Sequence, residues 1–200
     1  MKEQDASARY HHGDLRAALL AAAEAELDER GLAAFSLRAT AKRAGVSHAA
    51  PAHHFGNTQG LLRELAKRGF AALADEMERR AARADDPSDR LVEVGLGYVA
   101  FASARPALFE LMFGGTLSDA AGSQEGNRAF GILVGRAGTS EGDVDWHRVA
   151  AAWALVHGLA QLRSAGRMTF LDRMERDADD ADDVLRDVLR SGLGKRPDRR

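Results

Sequence analysis

The sequence predicts an all-α protein: a small N-terminal module of three helices followed by a larger helical domain. Three observations carry this. Ala and Leu dominate the apolar residues, proline occurs only four times, and no run of β-branched residues reads as a strand. Apolar positions recur at intervals of three and four between breaks marked by Gly, Pro, Ser and Asp. The segment from Leu37 to Phe55, LRATAKRAGVSHAAPAHHF, reads as two short helices joined by a Gly-centred turn.

The elements follow in order. Asp14 to Arg30 forms the first helix, with Leu15, Leu19, Ala22, Ala23 and Leu27 on one stripe, Asp14 capping its start and Gly31 ending it. Ser36 caps the second helix, Leu37 to Ala44. Ala41 is small enough to let the next helix approach, Gly45 suits the positive φ of a tight turn, and Val46 packs beneath it. Ser47 is a suitable N-cap for a third helix from about His48 to Phe55, in which Pro51 removes at most the first intrahelical bond. A long helix runs from Gln59 to Arg83. Asp85-Asp86-Pro87-Ser88 makes a turn, and Leu91 to Ser103 the next helix. Pro106 opens a short apolar helix, ALFELMF, which stops at Gly114-Gly115. Residues 114–126 read as a loop. Helices then span Glu125 to Arg136, Asp145 to Arg163 and Val184 to Leu193, and the terminal GKRPDRR is expected to fray. The domain boundary falls between residues 58 and 59, giving domains of residues 1–58 and 59–200.

Composition narrows the functional classes. Apolar content of 45% and charged content of 29% describe a globular chain. Cysteine is absent, which removes disulfides and thiolate metal sites. No apolar run approaches the roughly 18 residues of a membrane-crossing helix, and the polar start MKEQDASARYHHGD is unlike a signal peptide. A cytoplasmic protein without a membrane partner is expected. No catalytic site is expected either: the chain lacks a Gly-rich phosphate loop, an HExxH pair and a serine in an elbow setting. The adjacent pairs His11-His12 and His53-His54 point about 100° apart on a helix and chelate one ion poorly, so neither metal nor cofactor is expected. The acidic run from Asp177 to Asp183 sits at a helix start, where it is solvated.

The net charge of −2 hides an asymmetry. Between Arg30 and Phe70 the basic residues are Arg30, Arg38, Lys42, Arg43, Arg63, Lys67 and Arg68, against the single acid Glu64. Local positive field of this kind suits a polyanion. A helix-turn-helix places its second helix in the DNA major groove. Ser36 and Arg38 begin the first of its helices, close to where a backbone phosphate should lie, and Lys42 on the same helix is a further DNA-binding candidate; phosphate contacts position a protein without specifying sequence. Ser47, His48, Ala49 and Ala50 open the second helix, where Ser and His can bond base edges and Ala can meet a thymine methyl. His53 and His54 can donate to phosphate. For each histidine, ordinary surface packing is the competing role, as plain capping is for Ser36.

The later half offers two further patterns. No charged residue occurs from Val149 to Val156, so that helix is buried on more than one side. With the final helix it is expected to make a four-helix contact between subunits through Leu155, Gly158, Leu159, Leu162, Val184, Leu185 and Val188. A monomeric core is the alternative. Trp153, His157 and Gln161 recur at intervals of four on one face. With Phe101, Phe109, Met112, Phe113 and Phe130 they are expected to line a small-molecule site of aromatic walls and few polar groups. The alternative makes them core residues, with His157 bonded to a backbone carbonyl.

The segments YHHGDLRAALLAAAEAELDERG, SLRATAKRAGVSHAAPAHHF and LLRELAKRGF, in this order, resemble the DNA-binding region of TetR-family transcriptional regulators over about Tyr10 to Leu73. The later half resembles the C-terminal domain variant with a Trp…His-Gly signature, here Trp153 and His157-Gly158. The resemblance implies a homodimer bound to double-stranded operator DNA. It further implies a repressor released when a small apolar effector enters the C-terminal domain. The chain departs from the family pattern at Ala52, where Tyr is common, at Thr58, where Lys is common, and at Pro51, which replaces a bulky apolar residue. The phosphate clamp is thinner as a result, with Lys2, Arg9, Lys42, His53 or His54 available in its place. The competing class is an all-helical small-molecule-binding protein or enzyme with an incidental helix-turn-helix.

Overall fold

The computed structural model describes residues 3–86, 89–115, 117–137, 139–140, 143–178 and 181–193. Lys2, the turn residues Pro87 and Ser88, Asp179, Asp180 and the terminal GKRPDRR lie outside the described residues, as do the side chains of Arg9, His11, His12, Asp14 and Asp177.

Among the described residues the chain is helical apart from a two-residue antiparallel ladder, Thr139–Ser140 with Asp143–Val144. Helices α1 to α5 are Glu3–Arg30, Leu37–Arg43, Ala50–Phe55, Thr58–Ala81 and Arg90–Ala104. Helices α6 to α11 are Pro106–Phe113, Ser118–Ala121, Gln124–Ala137, Trp146–Ser164, Thr169–Asp177 and Ala181–Leu193. Helix α1 begins eleven residues before the expected cap, so Asp14 lies within the helix rather than at its start. The 114–126 segment is not all loop, because α7 forms one helical turn within it. Helix α10 falls in a stretch that has no element in the sequence reading.

Internal contacts divide the chain into two compact units: residues 1–69 with 107–123, and residues 70–106 with 124–200. The sequence places its boundary at 58/59. The first unit instead runs on through the first half of α4 and includes α6 and α7.

The first unit is built on the α1 stripe. Leu19, Leu20, Ala22, Ala23 and Leu27 are buried, as are Ala41 of α2 and Leu61, Leu62, Leu65 and Ala66 of α4. Helices α1 and α2 pack together, and α2 packs on α3.

The second unit is organised around α5, whose residues Leu91 to Val99 are all buried, together with Phe101 and Ala102. Helices α8, α9 and α11 pack on it. Gly95 permits the approach of α9 and α11, and Gly97 that of α4. A Cβ on Gly95 would stand 3.1 Å from Leu189 Cδ1 and 3.2 Å from Val156 Cγ1, and one on Gly97 would stand 3.1 Å from Met77 Cα. The buried Glu93 is answered by Arg186 of α11, whose Nε and Nη2 both lie 3.2 Å from its Oε1. It is thus α5, not α9, that is buried all round within the chain. Helix α9 buries one face, Val149, Ala152, Val156, Leu159 and Ala160, and leaves Ala150, Ala151, Trp153, Ala154 and Leu162 exposed.

Candidate nucleic-acid interface

The turn between α2 and α3 follows from local chemistry. Ser36 is extended at φ −141° and its Oγ accepts from the Ala39 N–H at 3.4 Å, so it caps α2 as its side chain predicts. Thr40 Oγ1 donates back to the Ser36 carbonyl at 3.0 Å. Helix α2 ends where Gly45 takes φ +69°, a conformation that a Cβ would strain. The Val46 N–H then returns to the Ala41 carbonyl at 3.0 Å, folding the turn under α2.

The third helix begins later than its sequence suggests. Ser47, His48 and Ala49 form a turn, with the Ala50 N–H donating to the Ser47 carbonyl at 3.1 Å. Helix α3 starts at Ala50, and Ala49, which has no capping side chain, occupies the N-cap in place of Ser47. Pro51 explains the shift. A start at His48 would ask its missing N–H for the first helical bond, whereas a start at Ala50 puts Pro51 in the first turn, where no N–H has an intrahelical partner.

Most of the expected DNA-facing residues are exposed or half-buried. Arg38 and Lys42 are exposed one turn apart on α2. Ser47, His48, Ala49 and His53 are exposed in the turn and on α3, Ser36, Ala50 and His54 are half-buried, and Pro51 is buried. The rings of His53 and His54 meet edge-on at 5.3 Å between centroids.

The basic run is more neutralised than the sequence implies. Arg43 bonds Glu29 and lies 3.4 Å from the buried Glu26 of α1, which also pairs with Arg30 at 3.0 Å. Arg63 meets Asp119 at 3.0 Å and Lys67 meets Glu64 at 2.9 Å. Among the described residues Arg38, Lys42 and Arg68 have no carboxylate partner. Arg38 and Lys42 thus supply the uncompensated cations beside α3.

The expected ligand-lining residues fall into two groups. Phe109, Met112 and Phe113 belong to the first compact unit; Phe109 and Met112 are buried, and the Phe109 and Phe113 rings lie 4.8 Å apart. Phe101, Phe130, Trp153, His157 and Gln161 belong to the second. There Phe130 and Trp153 meet edge-on at 5.9 Å and remain 40% and 44% exposed. His157 faces polar side chains of α5 and of its own helix. Its Nδ1 lies 2.9 Å from the Tyr98 hydroxyl of α5, and its Nε2 lies 3.5 Å from the Gln161 amide. Tyr98 also takes a side-chain hydrogen bond from Trp153, whose indole can only donate. Burial raises the Tyr98 phenol well above its ordinary value, although the Trp153 bond opposes this, and burial lowers the His157 imidazole below its own. Sequence reasoning missed Tyr98, which sits 59 residues from its histidine partner. It also missed Arg105, whose guanidinium lies 5.7 Å from the centre of the buried Phe101 ring.

The expected subunit contact also divides. Leu159 and Leu185 are already buried in the chain's own core at 6% and 5% exposure. Leu155, Gly158, Val184 and Val188 are half-buried and Leu162 is 44% exposed, so these residues retain surface to offer. A Cβ on Gly158 would meet nothing within 4 Å.

A helix-turn-helix with exposed, uncompensated cations on α2, in a chain that adds a second helical unit, is the architecture of a DNA-binding regulator. Residues 19–65 match the family model for bacterial regulatory proteins of the tetR family, and residues 91–190 match the tetracyclin repressor-like C-terminal domain. The chain belongs to the TetR family of transcriptional regulators, which bind DNA and are not enzymes. A solved structure of a protein of unknown function from Rhodococcus sp. RHA1 is 32% identical, with a TM-score of 0.71, covering 92% of this chain and 96% of that one. A TetR-family transcriptional regulator from Streptomyces coelicolor is 25% identical at a TM-score of 0.60, covering 90% and 98%. The HTH-type transcriptional regulator BetI of Paraburkholderia xenovorans (strain LB400) is 34% identical over 95 residues, which span 46% of this chain and 49% of that protein. The match therefore spans about half the length of that curated relative. No helix among the described residues is long and apolar enough to cross a membrane.

Proposed function

We propose that the protein is a cytoplasmic homodimeric repressor that reads a roughly palindromic operator and leaves it when a small, mostly apolar effector binds its C-terminal domain. The carrying observation is that Arg38 and Lys42 of α2 are exposed and, among the described residues, free of carboxylate partners, while Ser47, His48, Ala49 and His53 are exposed in the adjoining turn and on α3. Ser36, Arg38, Lys42, His53 and His54 are assigned to phosphates and Ser47, His48, Ala49 and Ala50 to base edges. Dimerisation is assigned to Leu155, Gly158 and Leu162 of α9, which retain exposed surface, together with Val184 and Val188 of α11.

The effector site is assigned to the aromatic edge of Phe130 and Trp153, with His157 and Gln161 as its polar groups. A neutral imidazole, an amide and two aromatic rings favour an uncharged ligand. Repression is relieved to the extent that the effector prefers the DNA-incompetent state; a difference of about 1–3 kcal/mol changes operator affinity roughly 5–150-fold. A mobility-shift titration with the DNA upstream of the protein's own gene tests the reading. A shifted band that survives excess poly(dI-dC) supports it, and a band abolished by that competitor at every salt concentration refutes it.

A further inference from the structure

Helix α3 has only six residues, too few to hold a helical conformation alone. Pro51 is its one fully buried side chain, near the N-terminal end. At the other end the chain turns away at Gly56, which takes φ +78°, and Phe55 is only half-buried. Apolar burial alone therefore anchors the helix at one end.

The other end has a different anchor. Arg16 of α1 places its guanidinium 5.3 Å from the centre of the Phe55 ring and bonds the carboxylate of Glu64 on α4. Glu64 also accepts from Lys67 Nζ at 2.9 Å, one turn along the same helix. Burial pushes the Glu64 carboxyl upward, but the bonds from Lys67 and Arg16 outweigh it and hold the group ionised below its ordinary range. One planar cation thus touches α1, α3 and α4 together. A guanidinium suits this position because it stacks on a ring face and bonds a carboxylate at the same time, which an ammonium does poorly.

We propose that Arg16 is a positioning residue for DNA recognition, clamping the C-terminal end of α3 to α4 through Phe55 and Glu64 without contacting a phosphate itself. The proposal rests on α3 being the reading helix. Its consequence is specific. Loosening the clamp lets α3 tilt, which harms base readout and leaves non-specific phosphate attraction untouched.

The test compares the full-length protein on two probes by fluorescence anisotropy. One is the duplex that the wild type selects from a random-sequence library, and the other is poly(dI-dC). Arg16→Met and Glu64→Gln are each expected to weaken the selected duplex about tenfold. Neither should change affinity for poly(dI-dC) or the slope of log affinity against log salt. The double variant should be no weaker than either single one, because both remove the same link. Arg16→Lys should recover only part of the loss. Arg16 and Glu64 are both partly exposed, so the fold survives these changes. Equal weakening on both probes, with a salt slope shallower by about one, would mean a phosphate contact and overturn the proposal. Unchanged affinity for the selected duplex, or additive losses in the double variant, would overturn it as well. If the wild type selects no duplex at all, the DNA-reading assignment fails instead, and that outcome is separate.

Discussion

Leu162 and Leu159 stand three residues apart on α9, yet they should respond to the same substitution in opposite ways. Leu162 is 44% exposed in the single chain and lies on the uncharged outer side, whereas Leu159 is 6% exposed and packed into the chain's own core. Leu162→Arg leaves the isolated chain intact and places an unpaired charge in the proposed subunit contact. Burying such a charge costs about 3–5 kcal/mol. At about 1.4 kcal/mol per tenfold, one such charge weakens association by two to three and a half orders of magnitude, and a two-fold dimer carries two. Leu159→Arg draws a similar cost from the folding stability instead, out of a total of roughly 5–15 kcal/mol. The melting temperature should then fall by about 6–20 °C for a chain of this size. Sedimentation equilibrium and thermal melting of the two variants separate these outcomes. Leu162→Arg should be a folded monomer with near wild-type melting of the subunit, and Leu159→Arg a destabilised protein. A Leu162→Arg protein that remains dimeric at wild-type concentrations, or a Leu159→Arg protein that melts normally as a monomer, would refute this assignment of the two faces.

Other perturbations address the remaining sites. Arg38→Ala should weaken binding on all DNA sequences alike and reduce the salt slope by about one, read by anisotropy across a salt series. His48→Ala should relax sequence choice, with about 1–3 kcal/mol of discrimination lost at one base position in a library-selection experiment. Trp153→Ala should blunt release by an authentic effector while leaving ligand-free DNA binding intact; an unchanged dose response would place the pocket elsewhere. His157 has a lowered pKa in the fold, so the unfolded chain binds the extra proton first. Stability contributed by its neutral form is present above the ordinary value of 6.5 and is lost as pH falls below it toward the lowered value. Melting temperatures between neutral and mildly acidic pH should therefore decline more steeply in the wild type than in His157→Gln.

Much of the architecture is written in local sequence. The stripe of Leu19, Ala23 and Leu27, the Ser36 cap, the Gly45 turn and the apolar helix opened by Pro106 all appear where their chemistry places them. Misplaced boundaries have local causes too. Pro51 moves the start of α3 past the better capping residue Ser47, and the mostly polar α10 shows too short an apolar stripe to be read. What local sequence does not reveal is pairing at a distance. Arg43 and Glu26 are 17 residues apart, Arg63 and Asp119 are 56 apart, and Tyr98 and His157 are 59 apart. Those contacts decide which cations remain for DNA and which polar atoms His157 meets. The charge of the basic run is legible from the sequence, and its availability is not.

The most direct test of the account is hydroxyl-radical footprinting of the full-length protein on the DNA that it selects, with the stoichiometry measured in parallel. The account predicts two subunits per site and two protected half-sites whose centres lie about one helical turn, ~34–36 Å, or a whole multiple of it apart on one face of the duplex. Protection should fade together with affinity as salt rises. Uniform protection along the duplex, a single protected half-site bound by one subunit, or no selected sequence would contradict it.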